Sequence, residues 1–291
     1  MEATLLTNVL LPLALGVIML GLGLGLTLDD FRRVARYPRA VLVGLLLQTG
    51  VLPWAALGLA LAFRMPPELA VGLMLLAASP GGATANIYSH LAHGDVALNI
   101  TLTAINSLLC LVTLPLILNL SLEFFLGAGQ YVPPPVSKVV EVAALIVLPV
   151  GIGMTVRAFA PGFAARMAKP IRILSVLVLA LLIVAAVAQA WETLLAWFAV
   201  VGLACLLFNL VSMGLGYAAP LALRLPRPQA IAIAMEIGIH NGTLAIFIAL
   251  NVLGNATMSV PAAVYSLLMF FTAAGFAWWA SRRPVAAPAT A

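Results

Sequence analysis

The sequence predicts an all-α polytopic membrane protein of nine transmembrane helices, and three observations carry that expectation. Hydrophobic residues make up 64% of the chain and charged residues 8%, with a mean hydropathy of +1.16, outside the range of a soluble domain. The apolar residues fall into runs of spanning length, since a helix crossing the hydrocarbon core needs about 20 residues. The basic residues between those runs are distributed unevenly, which sets an orientation.

The runs cover 4–26, 40–63, 68–92, 96–122, 136–157, 171–191, 194–223, 229–252 and 258–281. The first lacks a basic leader, has full spanning length and is followed by Arg32 and Arg33, so it reads as a helix and not as a cleaved signal peptide. The connections are too short for a soluble domain, and 1–291 reads as one bundle. With the N-terminus outside, Arg32, Arg33, Arg36, Arg39, Arg157, Arg166, Lys169, Arg172, Arg224, Arg227, Arg282 and Arg283 lie in cytoplasmic segments. Arg64 and Lys138 alone lie outside, so the positive-inside rule gives a periplasmic N-terminus and a cytoplasmic C-terminus. The net charge of +5 is thereby a topology signal and calls for no nucleic-acid partner. Cys110 and Cys205 both fall within helical runs and read as small core residues.

Two runs carry their own interruptions. The third contains Ser79-Pro80-Gly81-Gly82 halfway along, where a missing backbone donor and two glycines favour unwinding. The eighth contains Glu236-Ile237-Gly238-Ile239-His240-Asn241-Gly242 at a matching position. Unwound backbone at membrane depth survives only where it is buried in protein or lines a cavity. Paired interrupted helices point to the central site of an inverted-repeat transporter, with a first helix missing from the N-terminal half. Gly82 and Asn86 against Gly238 and Asn241 have nearly the same spacing. A second similarity, Gly23-x-Gly25-x-Thr27 with Gly151-x-Gly153-x-Thr155, joins two helices running the same way and reads as small-residue packing.

Glu236 is the only acid in the middle of an apolar run. An ionised group at that depth costs at least ~2.5–3.5 kcal/mol, so it faces a partner, an ion or a water-filled cavity. Polar residues cluster in the same runs: Asn99, Thr103 and Asn106 form one stripe at spacings of four and three. Gln48 and Thr49, Thr84 and Asn86, and His240 and Asn241 complete the set. Carboxylate, amide, hydroxyl and freed carbonyl oxygens suit a hard cation such as Na⁺.

Other roles compete for each residue. Asn106 and Thr49 read foremost as interhelical hydrogen-bonding groups. Glu236 could be a protonated donor, and His240 a neutral ring satisfying a carbonyl. His90 and His93 read as capping or interface residues. Glu236 and His240, four apart, could share a metal in an intramembrane hydrolase if the helix stayed wound, but no His-Glu-x-x-His pattern or third ligand accompanies them. Ser79 and Ser107 lack a Gly-x-Ser-x-Gly turn.

At these residues the chain resembles the bile acid:sodium symporter family. Pro80-Gly81-Gly82 through Asn86, followed by Leu91-Ala92-His93-Gly94-Asp95-Val96-Ala97-Leu98, looks like its Pro-Gly-Gly signature. Glu236-Ile237-Gly238-Ile239-His240-Asn241 is similar to its Glu-x-Gly-x-Gln-Asn motif, and Gly23-Leu24-Gly25-Leu26-Thr27 to its first motif-bearing helix. Bacterial members have ten helices, and the chain begins where their second would. The resemblance implies a core of helices at 40–63, 68–92, 96–122, 194–223, 229–252 and 258–281. It implies a panel of helices at 4–26, 136–157 and 171–191, moving against that core.

The resemblance further implies two Na⁺ sites. The first would use Asn86, Asn99, Thr103 and Glu236, with Ala85 and Asn99 where relatives have serines. The second would use Gln48, Glu236, the carbonyls of Ile237 and Ile239, and His240 in place of a glutamine. A ring nitrogen is a poor Na⁺ ligand. Ala83, Thr84 and Asn241 would face an anionic substrate, and Met19, Met269, Phe270 and Phe271 would supply an apolar wall. The implied function is Na⁺-coupled symport of an organic anion, bile-acid-like or a smaller carboxylate, by alternating access in a bacterial inner membrane. A proton-coupled or uncoupled carrier is the alternative. The expected partners are the lipid bilayer, the substrate anion and Na⁺, with no other cofactor, no enzymatic activity and a functional monomer.

Overall fold

A computed structural model describes residues 11–82, 84–127, 136–189 and 191–282. The described residues are helical apart from short connections and one isolated antiparallel bridge. In order, the helices are α1 (Leu11–Gly25), α2 (Leu28–Arg32), α3 (Pro38–Leu45), α4 (Leu52–Ala62), α5 (Pro67–Ala78), α6 (Ala85–Leu91) and α7 (Val96–Leu126). Then follow α8 (Val136–Phe159), α9 (Pro161–Gln189), α10 (Trp191–Ala222), α11 (Arg227–Gly238), α12 (Gly242–Phe247) and α13 (Val260–Ser281). A π-helical segment, Leu46–Val51, joins α3 to α4, and another, Ile248–Val252, extends α12.

Among the described residues, five continuous helices are long and apolar enough to cross a membrane. Counting α1 with the α2 segment as one span bent by 73° makes six. The third and eighth runs do not join this count, because each consists of shorter helices around a break. The outward faces remain apolar, with Trp54, Val112 and Phe271 each about seven-tenths exposed (71%, 72% and 71%). Such faces are stable against lipid and not against water. The chain is thus an all-α membrane protein.

The bend after α1 is held locally. Thr27 donates both its backbone N–H and its hydroxyl to Asp30, each at 2.7 Å, capping α2. Arg33 closes the other carboxylate oxygen at 2.6 Å. One boundary departs from expectation. The sixth run, placed at 171–191, lies as far as Gln189 in a helix that starts ten residues earlier, at Pro161. Arg166, Met167, Ala168 and Lys169 are good helix formers, so their charges mark where the apolar run ends and not where the helix ends.

The glycine pair on α1 and α8 does act in packing. A Cβ at Gly23 would run into the backbone of Val150, and one at Gly153 would come within 2.6 Å of the Leu20 oxygen and the Leu24 nitrogen. Backbones approach that closely only where both residues are small. Elsewhere α10 packs along α11 and α13, and α5 packs along α7. Cys110 and Cys205 are buried free thiols, as expected of small core residues.

Both predicted interruptions are present. Ser79 leaves α5 in an extended conformation (φ −72°, ψ 147°), and Ile239 leaves α11 in another (φ −114°, ψ 92°). The two extended segments pair with each other. Gly82 N–H donates to the Ile239 carbonyl at 2.6 Å and Asn241 N–H donates to the Pro80 carbonyl at 2.8 Å, bridging Gly81 and His240. Backbone groups released by unwinding thereby satisfy one another in the interior.

Candidate functional site

Glu236 occupies the last turn of α11 and is fully buried. Thr103 Oγ1 donates to its Oε2 at 2.6 Å, and Asn106 Nδ2 donates to its Oε1 at 3.2 Å. The Gly81 backbone N–H adds a third donor. A Cβ on Gly81 would occupy the position of the carboxylate, so glycine is what lets the α5 break close over it. The ion pairs among the described residues, Arg32–Asp29 and Arg33–Asp30, lie on α2 and do not involve Glu236.

The surrounding amides supply oxygen. Asn99 is held by its Nδ2, which donates to the Ala232 carbonyl at 2.7 Å, leaving its buried Oδ1 without a hydrogen-bond partner. Asn106 Oδ1 is also buried without a partner. Unmatched oxygen acceptors are the kind of group a hard cation requires. Asn106 makes the helix–helix bond that its spacing pointed to foremost, from α7 to α11, and its partner there is the Glu236 carboxylate. Asn86 lies in the first turn of α6, and Thr84 immediately precedes that helix.

The expected second set is arranged differently. Gln48 lies in the π-helical segment, buried, and its Nε2 donates to the Ser79 carbonyl at 2.9 Å. His240 Nδ1 lies 3.3 Å from the same carbonyl. The Ile239 carbonyl already accepts from Gly82, as described. Thr49 bonds within its own helix, to the Leu45 carbonyl at 2.7 Å.

Three residues that sequence reasoning passed over brace the α11 break. Asn209 Nδ2 and Tyr265 Oη donate to the Gly238 carbonyl at 2.8 and 2.9 Å. Phe208 stacks on the His240 ring with centroids 5.6 Å apart. Asn209 sits mid-run in an apolar stretch, and the rule that singled out Glu236 would also have flagged it.

A cavity of about 400 Å³ opens beside the paired breaks. Its wall comprises parts of α1 (Met19, Leu22), α6 with its approach (Thr84, Asn86, His90), α9 (Ser175, Leu179), and Asn241 and Met269. No Arg or Lys lines it among the described residues. His90, in the last turn of α6, also lies on this wall. Asn241 also caps α12, accepting from Leu244 N–H at 3.1 Å. Of the expected apolar wall only Met19 and Met269 reach the cavity: Phe270 stacks with Tyr88, and Phe271 is 71% exposed. Ala83 lies outside the described residues.

The wound helix that a Glu236–His240 metal pair requires is interrupted, because α11 ends at Gly238. Among the described residues no group of three His, Cys, Asp or Glu side chains is placed to hold a metal.

The family model described as the sodium bile acid symporter family matches residues 12–197. The uncharacterized sodium-dependent transporter YocS of Bacillus subtilis is 31% identical over 254 residues, covering 87% of this chain and 77% of that protein. A probable sodium/metabolite cotransporter of rice chloroplasts, BASS2 of Oryza sativa subsp. japonica, is 28% identical over 94% of this chain and 64% of its own. Rat sodium/bile acid cotransporter 4 (Rattus norvegicus) is 34% identical over 52% of this chain and 34% of its own. The chain thus spans less than two thirds of these last two relatives. By this match the chain belongs to the sodium bile acid symporter family, whose members are transporters and not enzymes.

Proposed function

We propose that the chain is a secondary active transporter that carries an organic anion together with Na⁺ by alternating access. The observation that supports this most is the fully buried Glu236 carboxylate at the junction of two broken helices. It has hydroxyl and amide neighbours, no basic partner among the described residues, and a cavity of about 400 Å³ alongside. Na⁺ bound there would neutralise a charge that is otherwise costly at membrane depth. Asn86, Asn99, Thr103, Asn106 and Glu236 would contribute to that site. Thr84, Asn241 and His90 would meet the polar part of the substrate and Met19 and Met269 its apolar body.

In this reading the chain crosses a bacterial inner membrane nine times, α9 and the two broken runs adding three to the six spans above, and the broken runs are related as inverted repeats. Helices α1, α8 and α9 form a panel against which the remaining core shifts. The cavity lies between these two groups, and opening it alternately to each side requires little change within either. Na⁺-coupled transport also agrees with the names of the relatives, a sodium-dependent transporter and a probable sodium/metabolite cotransporter. Reconstituted protein tests the reading: Na⁺ and H⁺ gradients are imposed separately on proteoliposomes, with a panel of carboxylates and steroid conjugates. Accumulation driven by the Na⁺ gradient is expected. Accumulation driven equally by a H⁺ gradient without Na⁺ would refute it.

A further inference from the structure

Gln48, Ser79 and His240 form a buried junction at the α5 break. They come from three separate segments, and their residues are 3%, 0% and 1% exposed. The Ser79 carbonyl is the meeting point, with Gln48 Nε2 at 2.9 Å and His240 Nδ1 at 3.3 Å. A carbonyl only accepts, so the ring presents an N–H there, from Nδ1. The ring is fixed in place, stacked on Phe208 and edge-on to Tyr265 at 5.4 Å between centroids. Gln48 Nε2 also lies 3.3 Å from the Ala77 carbonyl, which orients the amide's N–H face toward the α5 break.

A hard cation is held by several converging oxygen lone pairs. Here two N–H groups point to one carbonyl, and the Ile239 carbonyl is engaged by Gly82 at 2.6 Å. The junction's remaining side-chain acceptors are Gln48 Oε1 and His240 Nε2, one oxygen and one nitrogen. Glu236 meanwhile accepts from Thr103 and Asn106 on α7 and from the Gly81 N–H at the α5 break. The surplus of oxygen acceptors lies on the α7 side, where Asn99 Oδ1 and Asn106 Oδ1 are buried without partners.

We infer that the chain binds a single coupling cation, beside Glu236 at the α7 amides, because the Gln48–Ser79–His240 junction leaves only one side-chain oxygen, next to a ring nitrogen, for a second. The inference rests on the Na⁺-coupled reading above and adds its stoichiometry. A monovalent anion moving with one Na⁺ carries no net charge, so a membrane potential leaves its accumulation ratio unchanged. A second Na⁺ would make that ratio respond about 50-fold to 100 mV.

Equilibrium binding of radioactive Na⁺ to the purified full-length chain tests this without a known substrate. The expected result is one Na⁺ per chain with a hyperbolic isotherm. His240→Gln, which replaces the ring by an amide oxygen, is expected to raise the count to two. Two Na⁺ on the wild-type chain would overturn the inference and leave Na⁺ coupling intact, whereas none would overturn both. A folded His240→Gln variant that still bound one would also overturn it. If that variant does not fold, the wild-type count decides.

Discussion

The two sides of Glu236 use similar polar side chains to opposite ends. Toward α7, Asn99 and Asn106 engage their N–H groups with the Ala232 carbonyl and the carboxylate, and their oxygens are left over. Toward the α5 break, the N–H groups of Gln48 and His240 converge on the Ser79 carbonyl. Two amide oxygens are left over on the first side, and one amide oxygen, Gln48 Oε1, with one ring nitrogen, His240 Nε2, on the second. The contrast teaches that the direction in which each amide is held decides which atoms it has to offer, and that direction is set by backbone carbonyls such as Ala232 and Ser79.

The largest effect that would break this contrast comes from the shared carboxylate. Glu236→Gln keeps the shape and removes the charge. A charge-assisted contact contributes ~1.5–3 kcal/mol, so Na⁺ affinity should fall roughly 10- to 150-fold, measured by Na⁺ titration of the purified variant. Unchanged affinity would remove Glu236 from the site.

Next is Gly81→Ala, which drives a methyl group into the carboxylate's position. Overpacking of this kind costs about 1–3 kcal/mol, and here it should lower both the melting temperature and Na⁺ affinity. A variant that melts and binds like wild type would mean that the α5 break does not close over Glu236 as described. Thr103→Val sharpens the comparison from the α7 side by removing one hydroxyl. A single hydrogen bond to a charge contributes ~1.5–3 kcal/mol, and the loss should appear in Na⁺ affinity while the Gln48–Ser79–His240 side is untouched. Equal Na⁺ affinity in the variant would argue that Thr103 is only a helix–helix contact.

The smallest effect is expected behind the α11 break. Tyr265→Phe removes one of the two side-chain donors to the Gly238 carbonyl, with Asn209 still in place. A cost of about 0.5–1.5 kcal/mol in stability is expected, read by thermal melting, with the Na⁺ count unaltered. A changed count would show that the aromatic brace also shapes the cation site.

The sequence made the local features legible. Proline and paired glycines announce a break wherever they fall in an apolar run, and the two unwound segments follow from them. Spacing gave Asn99, Thr103 and Asn106 as one stripe, and Asn106 makes the helix–helix bond expected of it, with Glu236 as the partner. That His90 lines the cavity was not legible, because the wall is assembled from α1, α6 and α9, which are far apart in the chain. The π-helical turn that holds Gln48 leaves no periodic mark in six residues, Leu46–Val51. The early start of α9 escaped because charge marks the edge of the apolar stretch and not the end of the helix. The Gln48–Ser79–His240 junction depends on hydrogen-bond direction, which composition and spacing do not encode.

The central claim is that Na⁺ binds at the Glu236 carboxylate where the broken helices meet. Thermal melting of wild type and Glu236→Gln in Na⁺ against choline tests it most directly. A ligand at 100 times its Kd stabilises the folded state by about 2.7 kcal/mol. Wild type should therefore melt higher in saturating Na⁺, while Glu236→Gln melts alike in both salts. An equal Na⁺-dependent rise in the two proteins would contradict the account.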